Sequence, residues 1–218
     1  FSLPRGDSLG IIGPNGAGKT SLFNLITGTI EPDKGNIFFE NDNIKKLDVA
    51  ARCRKGIARS FQIPQPFSGM TVLENALVSA TQGANISIGN AENHCIDILE
   101  LTGLLRKANT LAGELTLLER KRLELAKALA TKPKILLLDE IAGGLTEQEC
   151  QVLIKVILNI MRENISIIWI EHVVHALLSV VQRLLVLDFG TKVADGNPSE
   201  IMKSKTVQKI YLGIDADG

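Results

Sequence analysis

Apolar residues fall along this 218-residue chain in two alternating patterns. Short continuous runs, Leu9 to Ile12, Ile57 to Phe61, Ile135 to Leu138, Ile165 to Ile170 and Leu184 to Leu187, have the length of strands buried on both faces. Between them the spacing becomes helical: Leu22, Phe23, Leu25 and Ile26 share one face, as do Val152, Leu153, Val156, Ile157 and Ile160. Three capping-box patterns, Thr71-x-x-Glu74, Thr116-x-x-Glu119 and Thr146-x-x-Glu149, mark helix starts. The first opens a helix through Ala80, and the second one through Ala130 that stops near Pro133. Asp48 caps a short helix to Lys55 that ends at Gly56, Glu92 to Leu101 supplies another helical period after an exposed loop from Gln82 to Asn90, and Ser199 to Leu212 reads as a terminal helix. Asn36 to Glu40 reads as a further strand after the turn at Pro32 to Gly35. Phe1 to Leu3 and Ser8 to Ile12, separated by Pro4-Arg5-Gly6-Asp7, read as an N-terminal antiparallel hairpin. The alternation predicts an α/β fold with a mostly parallel sheet flanked by helices, and a mainly helical subdomain inserted over residues 68 to 130 approximately.

Composition changes this picture little. The chain is long enough for one domain with a proper interior, and 24 basic residues balance 24 acidic ones, which gives no reason to expect nucleic acid as partner. Cys53, Cys95 and Cys150 are odd in number and lack metal-ligand spacing, so free thiols in a reducing compartment are expected. The apolar stretches fall well short of the ~20 residues of a membrane span, so any membrane role requires a partner that supplies the span. The chain opens on Phe1 without an initiator Met and reads as a product trimmed at its N-terminus.

The chemistry begins where the first strand ends. Gly13-Pro14-Asn15-Gly16-Ala17-Gly18-Lys19-Thr20 satisfies the phosphate-loop pattern G-x-x-x-x-G-K-[ST], with a strand before it and a helix after it. The glycines let backbone N–H groups close around phosphate oxygens at the positive end of the helix that continues through Ser21. Lys19 is expected to reach the outer phosphates of a bound nucleotide, and Thr20 to hold Mg2+ through its hydroxyl. In open α/β sheets ligands gather at the carboxyl ends of strands, where Gln62, Asp139-Glu140 and Glu171-His172 also fall. Asp139 is a candidate magnesium ligand, and Glu140 a candidate to orient or deprotonate a water aimed at the γ-phosphate. His94 and His175 lack such a setting and are read as structural.

Together these residues resemble the ATPase subunits of ATP-binding cassette (ABC) transporters over essentially the whole chain. The phosphate loop matches the family's Walker A and Ile135 to Glu140 its Walker B with the adjoining glutamate; Gln62 matches the Q-loop glutamine and His172 the switch histidine. The resemblance implies ATP and Mg2+ as cofactors, Glu140, His172 and Gln62 as catalytic residues, and Thr20, Gln62 and Asp139 as metal-binding residues. It also implies integral membrane permease subunits and a second ABC ATPase subunit, in a homo- or heterodimer, as partners at the cytoplasmic face of the cell membrane. Ile57 to Gln62, Phe67 to Asn75 and Ile141 to Leu145 resemble the importers of branched-chain and other hydrophobic amino acids more closely, and they alone carry that substrate. An export or lipid-handling ABC subunit, a soluble non-transport ABC ATPase and a small-molecule kinase are the alternatives; Glu140, Gln62 and His172 together argue against the kinase. Three features depart from the family: the Leu-Ser-Gly-Gly-Gln signature aligns with Leu115-Thr116-Leu117-Leu118-Glu119, Thr146 stands where the D-loop normally has aspartate, and the chain begins too late to show the aromatic residue that in relatives lies before the Walker A hairpin and stacks on adenine.

Overall fold

The computed structural model describes residues 1–212, and side chains through residue 210. In chain order the elements are β1 (Ser8–Ile12), α1 (Lys19–Thr27), β2 (Phe38–Phe39), β3 (Asp42–Asn43), α2 (Val49–Lys55), β4 (Ile57–Arg59), α3 (Val72–Gly83), α4 (Ile88–Leu101), α5 (Leu117–Ala130), β5 (Ile135–Asp139), α6 (Glu147–Arg162), β6 (Ser166–Ile170), α7 (Val174–Leu178), β7 (Arg183–Asp188), β8 (Thr191–Gly196), α8 (Pro198–Ile201) and α9 (Lys205–Leu212). Six strands form one sheet in the order β4-β5-β6-β1-β7-β8, parallel throughout except for the antiparallel pair β7–β8.

Burial on both faces explains why the strands are continuously apolar rather than alternating. Successive residues simply face different cores. Leu136 and Leu138 of β5, with Ile167 and Trp169 of β6, pack on α6 through Leu153, Val156, Ile157 and Ile160. Ile135 and Leu137, with Leu9 and Ile11 of β1, belong to the opposite core, which includes Phe23 of α1. All five residues of each of β1, β5 and β6 are buried. The helices start where their caps predict. At α3, α5 and α6 both halves of the capping box form, and Asp48 accepts the Ala51 N–H at 2.7 Å to open α2. α3, α4 and α5 pack on one another around Val72, Leu99, Leu104 and Leu123, and around the small residues Ala76, Ala80, Ala91 and Cys95.

Several expectations need correction. The N-terminal hairpin does not form, because both edges of β1 are taken by β6 and β7, leaving no edge for the preceding chain. Residues 1–7 are instead fastened singly: Gly6 N–H donates to Ser166 Oγ at 2.8 Å, and Arg183 Nη1 to Ser2 O at 2.8 Å. Asn36 to Glu40 contributes only the two residues of β2, paired with β3. The strand from Ile57 ends at Arg59 rather than Phe61. The 82–90 loop shrinks to 84–87, because α3 continues to Gly83 and α4 begins at Ile88. β8 is an edge strand that the apolar pattern does not mark, because its first two residues are exposed, the other four are only partly buried and it carries no apolar run. The terminal helix divides into α8 and α9, with the turn at Met202 to Ser204 between them.

A buried arginine fixes the far end of the phosphate-loop helix. Arg52 is 1% exposed, and it donates to Leu47 O at 2.9 Å, Leu25 O at 2.6 Å, Ile26 O at 3.0 Å and Lys45 O at 3.0 Å. Leu25 and Ile26 are carbonyls that the end of α1 leaves without helical partners, so α2 completes α1 from outside. A methyl group on Gly28, the left-handed cap of α1, would lie 2.8 Å from Arg52 Nε. Arg52→Met keeps the stem and orphans these carbonyls, and it is expected to cost about 2–4 kcal/mol in urea unfolding. A loss under about 0.5 kcal/mol would show that water satisfies them instead.

Candidate active site

The loop between β1 and α1 lies at the carboxyl end of the sheet's central strands. Three of its positions exclude side chains or favour glycine. A Cβ at Gly13 would sit 2.2 Å from Leu187 O, while Gly16 and Gly18 hold φ of 81° and 95°. Gly190 N–H donates to Ala17 O at 3.0 Å, which fastens the loop to the β7–β8 turn. Lys19 is buried, and its Nζ donates to Gly13 O at 2.8 Å and Pro14 O at 3.0 Å, so the ammonium lies along the inside of the loop. Burial lowers its pKa, and the charges of Glu140 and Asp139 oppose that shift. Asn15, Thr20 and Ser21 are exposed, and the N-terminal turn of α1 carries no side-chain cap. The geometry suits an anion cradled by backbone N–H groups and one lysine.

The acidic pair sits beside it. Asp139 ends β5, and its Oδ2 accepts from Arg59 Nη2 at 2.6 Å. Glu140 adopts φ 46°, a left-handed conformation costly for a residue with a Cβ, and its N–H donates to Ile170 O at 2.8 Å. That turn aims the carboxylate at two partners from other strand ends: Gln62 Nε2 donates to Oε2 at 2.6 Å, and His172 Nε2 lies 2.7 Å from Oε1. Gln62, Glu140 and His172 are therefore one hydrogen-bonded group. His94 and His175 are outside it, against Ala130 O at 3.2 Å and Glu147 at 3.0 Å.

The group is held from behind by residues that carry no motif of their own. Glu171 is 1% exposed; its Oε2 accepts from Ala142 N–H at 2.9 Å, and its Oε1 from His172 N–H at 2.9 Å and Val173 N–H at 3.3 Å. One buried carboxylate thus ties the chain after Glu140 to the chain carrying His172. Lys121 of α5 is buried within the field of the Glu171 and Glu140 carboxylates; burial lowers its pKa and those carboxylates raise it. The segment after Gln62 is fastened to α5 and α3. Glu124 Oε1 accepts from Gln65 N–H at 3.1 Å, Lys127 Nζ donates to Gln65 O at 3.0 Å, and Asn75 exchanges hydrogen bonds with both backbone groups of Phe67. Phe61, Ile63 and Phe67 remain more than half exposed on its outer side. In the altered signature, Thr116 caps α5, Leu115 is buried, and Leu117 is 43% exposed with its Cδ2 beside Gly144. A cavity of about 560 Å³ between His94, Leu101, Pro133 and Ile165 lies by the starts of β5 and β6, away from all these groups.

The donor set fits magnesium. The Thr20 hydroxyl, an Asp139 oxygen and the Gln62 amide oxygen are hard ligands, too few for an all-protein cage and suited to a cation that completes its shell with water and phosphates. No group of three or more His, Cys, Asp or Glu side chains among the described residues could hold a metal by itself. Asp139 is at the same time paired with Arg59, and Gln62 with Glu140.

The sequence pattern of the ABC transporter family matches residues 1–143. The chain is 35% identical to the high-affinity branched-chain amino acid transport ATP-binding protein LivG of Escherichia coli (strain K12), over 93% of this chain and 86% of that protein. It is 30% identical to the lipopolysaccharide export system ATP-binding protein LptB of the same strain, over 99% of this chain and 89% of that one. The crystal structure of an ATP-binding cassette of an ABC transporter in its ADP conformation superposes with a TM-score of 0.88 at 31% identity, covering 98% of this chain and 91% of that one.

The buried carboxylate gives a test that spares the nucleotide cradle. Glu171→Gln keeps the shape but turns one acceptor into a donor facing backbone N–H groups, so Glu140 and His172 lose their shared anchor. Turnover of ATP is expected to fall roughly tenfold or more while nucleotide affinity stays within about twofold, as read by steady-state hydrolysis and by titration. Unchanged turnover would confine Glu171 to the fold.

Proposed function

The chain belongs to the ABC transporter family, and from that premise we propose that it powers import of branched-chain or other hydrophobic amino acids, with Glu140 as the base at a magnesium–ATP site. It binds nucleotide, hydrolyses ATP and works with membrane components of a transporter; no described helix is long and apolar enough to cross a membrane. The observation that carries the catalytic reading is the clamp on Glu140 beside the phosphate loop, with Gln62 on Oε2 and His172 on Oε1.

On this reading Gly13 to Ser21 wrap the phosphates, with Lys19 against the outer ones. Thr20, Asp139 and Gln62 would hold Mg2+, which would supply neutralisation of charge on the phosphate oxygens. Glu140 accepts the proton of a water as its oxygen attacks the γ-phosphorus in line, and the bond to the β–γ bridging oxygen breaks to leave ADP and phosphate. His172 and Gln62 set the orientation of Glu140 before attack, and His172 faces the γ-phosphate. The strained φ of Glu140 fits a side chain fixed for chemistry rather than for stability.

The substrate assignment rests on the LivG similarity and on Ile57 to Gln62, Phe67 to Asn75 and Ile141 to Leu145. The LptB similarity keeps a lipid-exporting partner as the second reading, separable by which permease co-purifies with the chain. The exposed Phe61, Ile63 and Phe67 offer that permease an apolar docking surface at the cytoplasmic face of the membrane, with residues of about 68 to 130 as the docking subdomain. A second cassette completes the assembly.

Glu140→Gln is expected to bind ATP normally and to lose hydrolysis by at least ~10²-fold, while Lys19→Ala weakens binding itself. Near-normal turnover of Glu140→Gln with its permease would remove Glu140 from the role. The altered signature makes a further expectation. Leu117 and Leu118 put bulk where glycines would let backbone N–H groups approach phosphate, so the natural partner is a different ABC subunit bearing an intact signature. A fully active homodimer of this chain would contradict that pairing.

A further inference from the structure

Among the described residues, Arg59 is the cation paired with the Asp139 carboxylate, and its surroundings are built around it. It closes β4 on the strand next to β5, where Arg59 lies opposite Leu137 in the register. Nη2 donates to Asp139 Oδ2 at 2.6 Å and Nη1 to Asn24 Oδ1 of α1 at 2.8 Å. The guanidinium lies 5.4 Å from the Phe23 ring centre and 5.4 Å from that of Phe61, so aromatic groups flank its charge. Its buried Nε has no hydrogen-bond partner. Arg59 and Asp139 side chains are only 11% and 9% exposed, which leaves little water to screen the pair.

This arrangement conflicts with a second cation at the same carboxylate. A divalent ion on Asp139 would meet the guanidinium charge in a poorly solvated site, where like charges repel strongly. We propose that Arg59 is a positioning residue that competes with Mg2+ for Asp139 and so sets the magnesium concentration at which nucleotide is bound. Two features let the guanidinium give way without leaving the site. Asn24 retains one of its nitrogens, and Phe61, 54% exposed, can move with it while Phe23 stays buried. Direct contact between Phe61 and Gln62 along the chain puts that movement next to a second proposed magnesium ligand. The inference rests on the reading of Asp139 as a magnesium ligand, and its test separates the two.

Melting temperature and ADP binding are measured for the whole chain while Mg2+ is titrated at fixed ADP. In Arg59→Gln the half-saturating Mg2+ concentration is expected to fall roughly tenfold, the effect of removing one adjacent like charge. The variant should also melt below the unsubstituted chain in EDTA, and that deficit should shrink in Mg2+ and ADP, because the metal then neutralises Asp139. An unchanged or higher half-saturating concentration, or a deficit that Mg2+ does not reduce, overturns the proposal. Arg59→Lys keeps a charge but loses the planar fork; should Arg59→Gln fail to fold, the lysine variant must show a smaller shift of the same sign, and no shift overturns the competition. Asp139→Asn should abolish the magnesium dependence of ADP binding. Persistence of that dependence refutes the magnesium reading of Asp139 and the proposal with it, whereas its loss without any shift in the Arg59 variants refutes the competition alone.

Discussion

The position of β1 between β6 and β7, parallel to both, is the constraint on which the site depends. A parallel strand must be entered and left through opposite ends, so every chain leaving β1, β5 and β6 emerges on one edge of the sheet. The phosphate loop, Asp139-Glu140 and Glu171-His172 are those exits. Burial of all five residues in each of these strands fixes the exits relative to one another, since a slip in register would move an apolar residue out of one core and into the other. The short reach of the site's hydrogen bonds follows from this: Glu140 can meet His172 at 2.7 Å because Leu138 and Asp139 are already registered against Trp169 and Ile170.

Charge is arranged around that edge by assigning each carboxylate a different kind of partner. Asp139 has a guanidinium, Glu140 an amide and an imidazole, and Glu171 three backbone N–H groups. These choices fit the roles proposed for them. A carboxylate satisfied by backbone amides has nothing to exchange and serves as a fastener, whereas one held by side chains can trade a partner for metal or water when nucleotide arrives. Two lysines from different helices share Glu140, Lys19 of α1 together with Asp139 and Lys121 of α5 together with Glu171, and both have pKa values lowered by burial against the pull of those carboxylates.

Much of this was legible in the sequence, and what was not has physical reasons. Capping boxes at Thr71, Thr116 and Thr146 name helix starts because the reciprocal bonds span only three residues and need no tertiary context. The phosphate loop is equally local. By contrast, the supposed pairing of Phe1 to Leu3 with Ser8 to Ile12 depended on which strands occupy β1's edges, a decision made by residues more than 150 positions away. The β8 edge strand carried no apolar run. Arg59, Asn75, Glu124 and Glu171 lay in view, yet a single polar residue in an apolar stretch shows only that it needs a partner, not which one. Arg59 finds its partner 80 residues away, and Gln65 finds Glu124 at a separation of 59.

α5 is where these long-range ties meet. Its N-terminal turn presents the altered signature, with Leu117 exposed and its cap closed by Thr116 and Glu119. One turn on, Lys121 is buried toward Glu171 and Glu140; further along, Glu124 and Lys127 hold the N–H and C=O of Gln65, three residues beyond Gln62. A helix anchored in this way cannot shift against the segment after Gln62 without breaking two charge-assisted hydrogen bonds to the backbone of Gln65. The surface that offers Phe61, Ile63 and Phe67, the signature turn and the Glu140 clamp are therefore mechanically linked through one helix. The loss of glycines at the signature changes what the outer end of that helix can touch, while leaving intact the ties by which its inner face reaches the site.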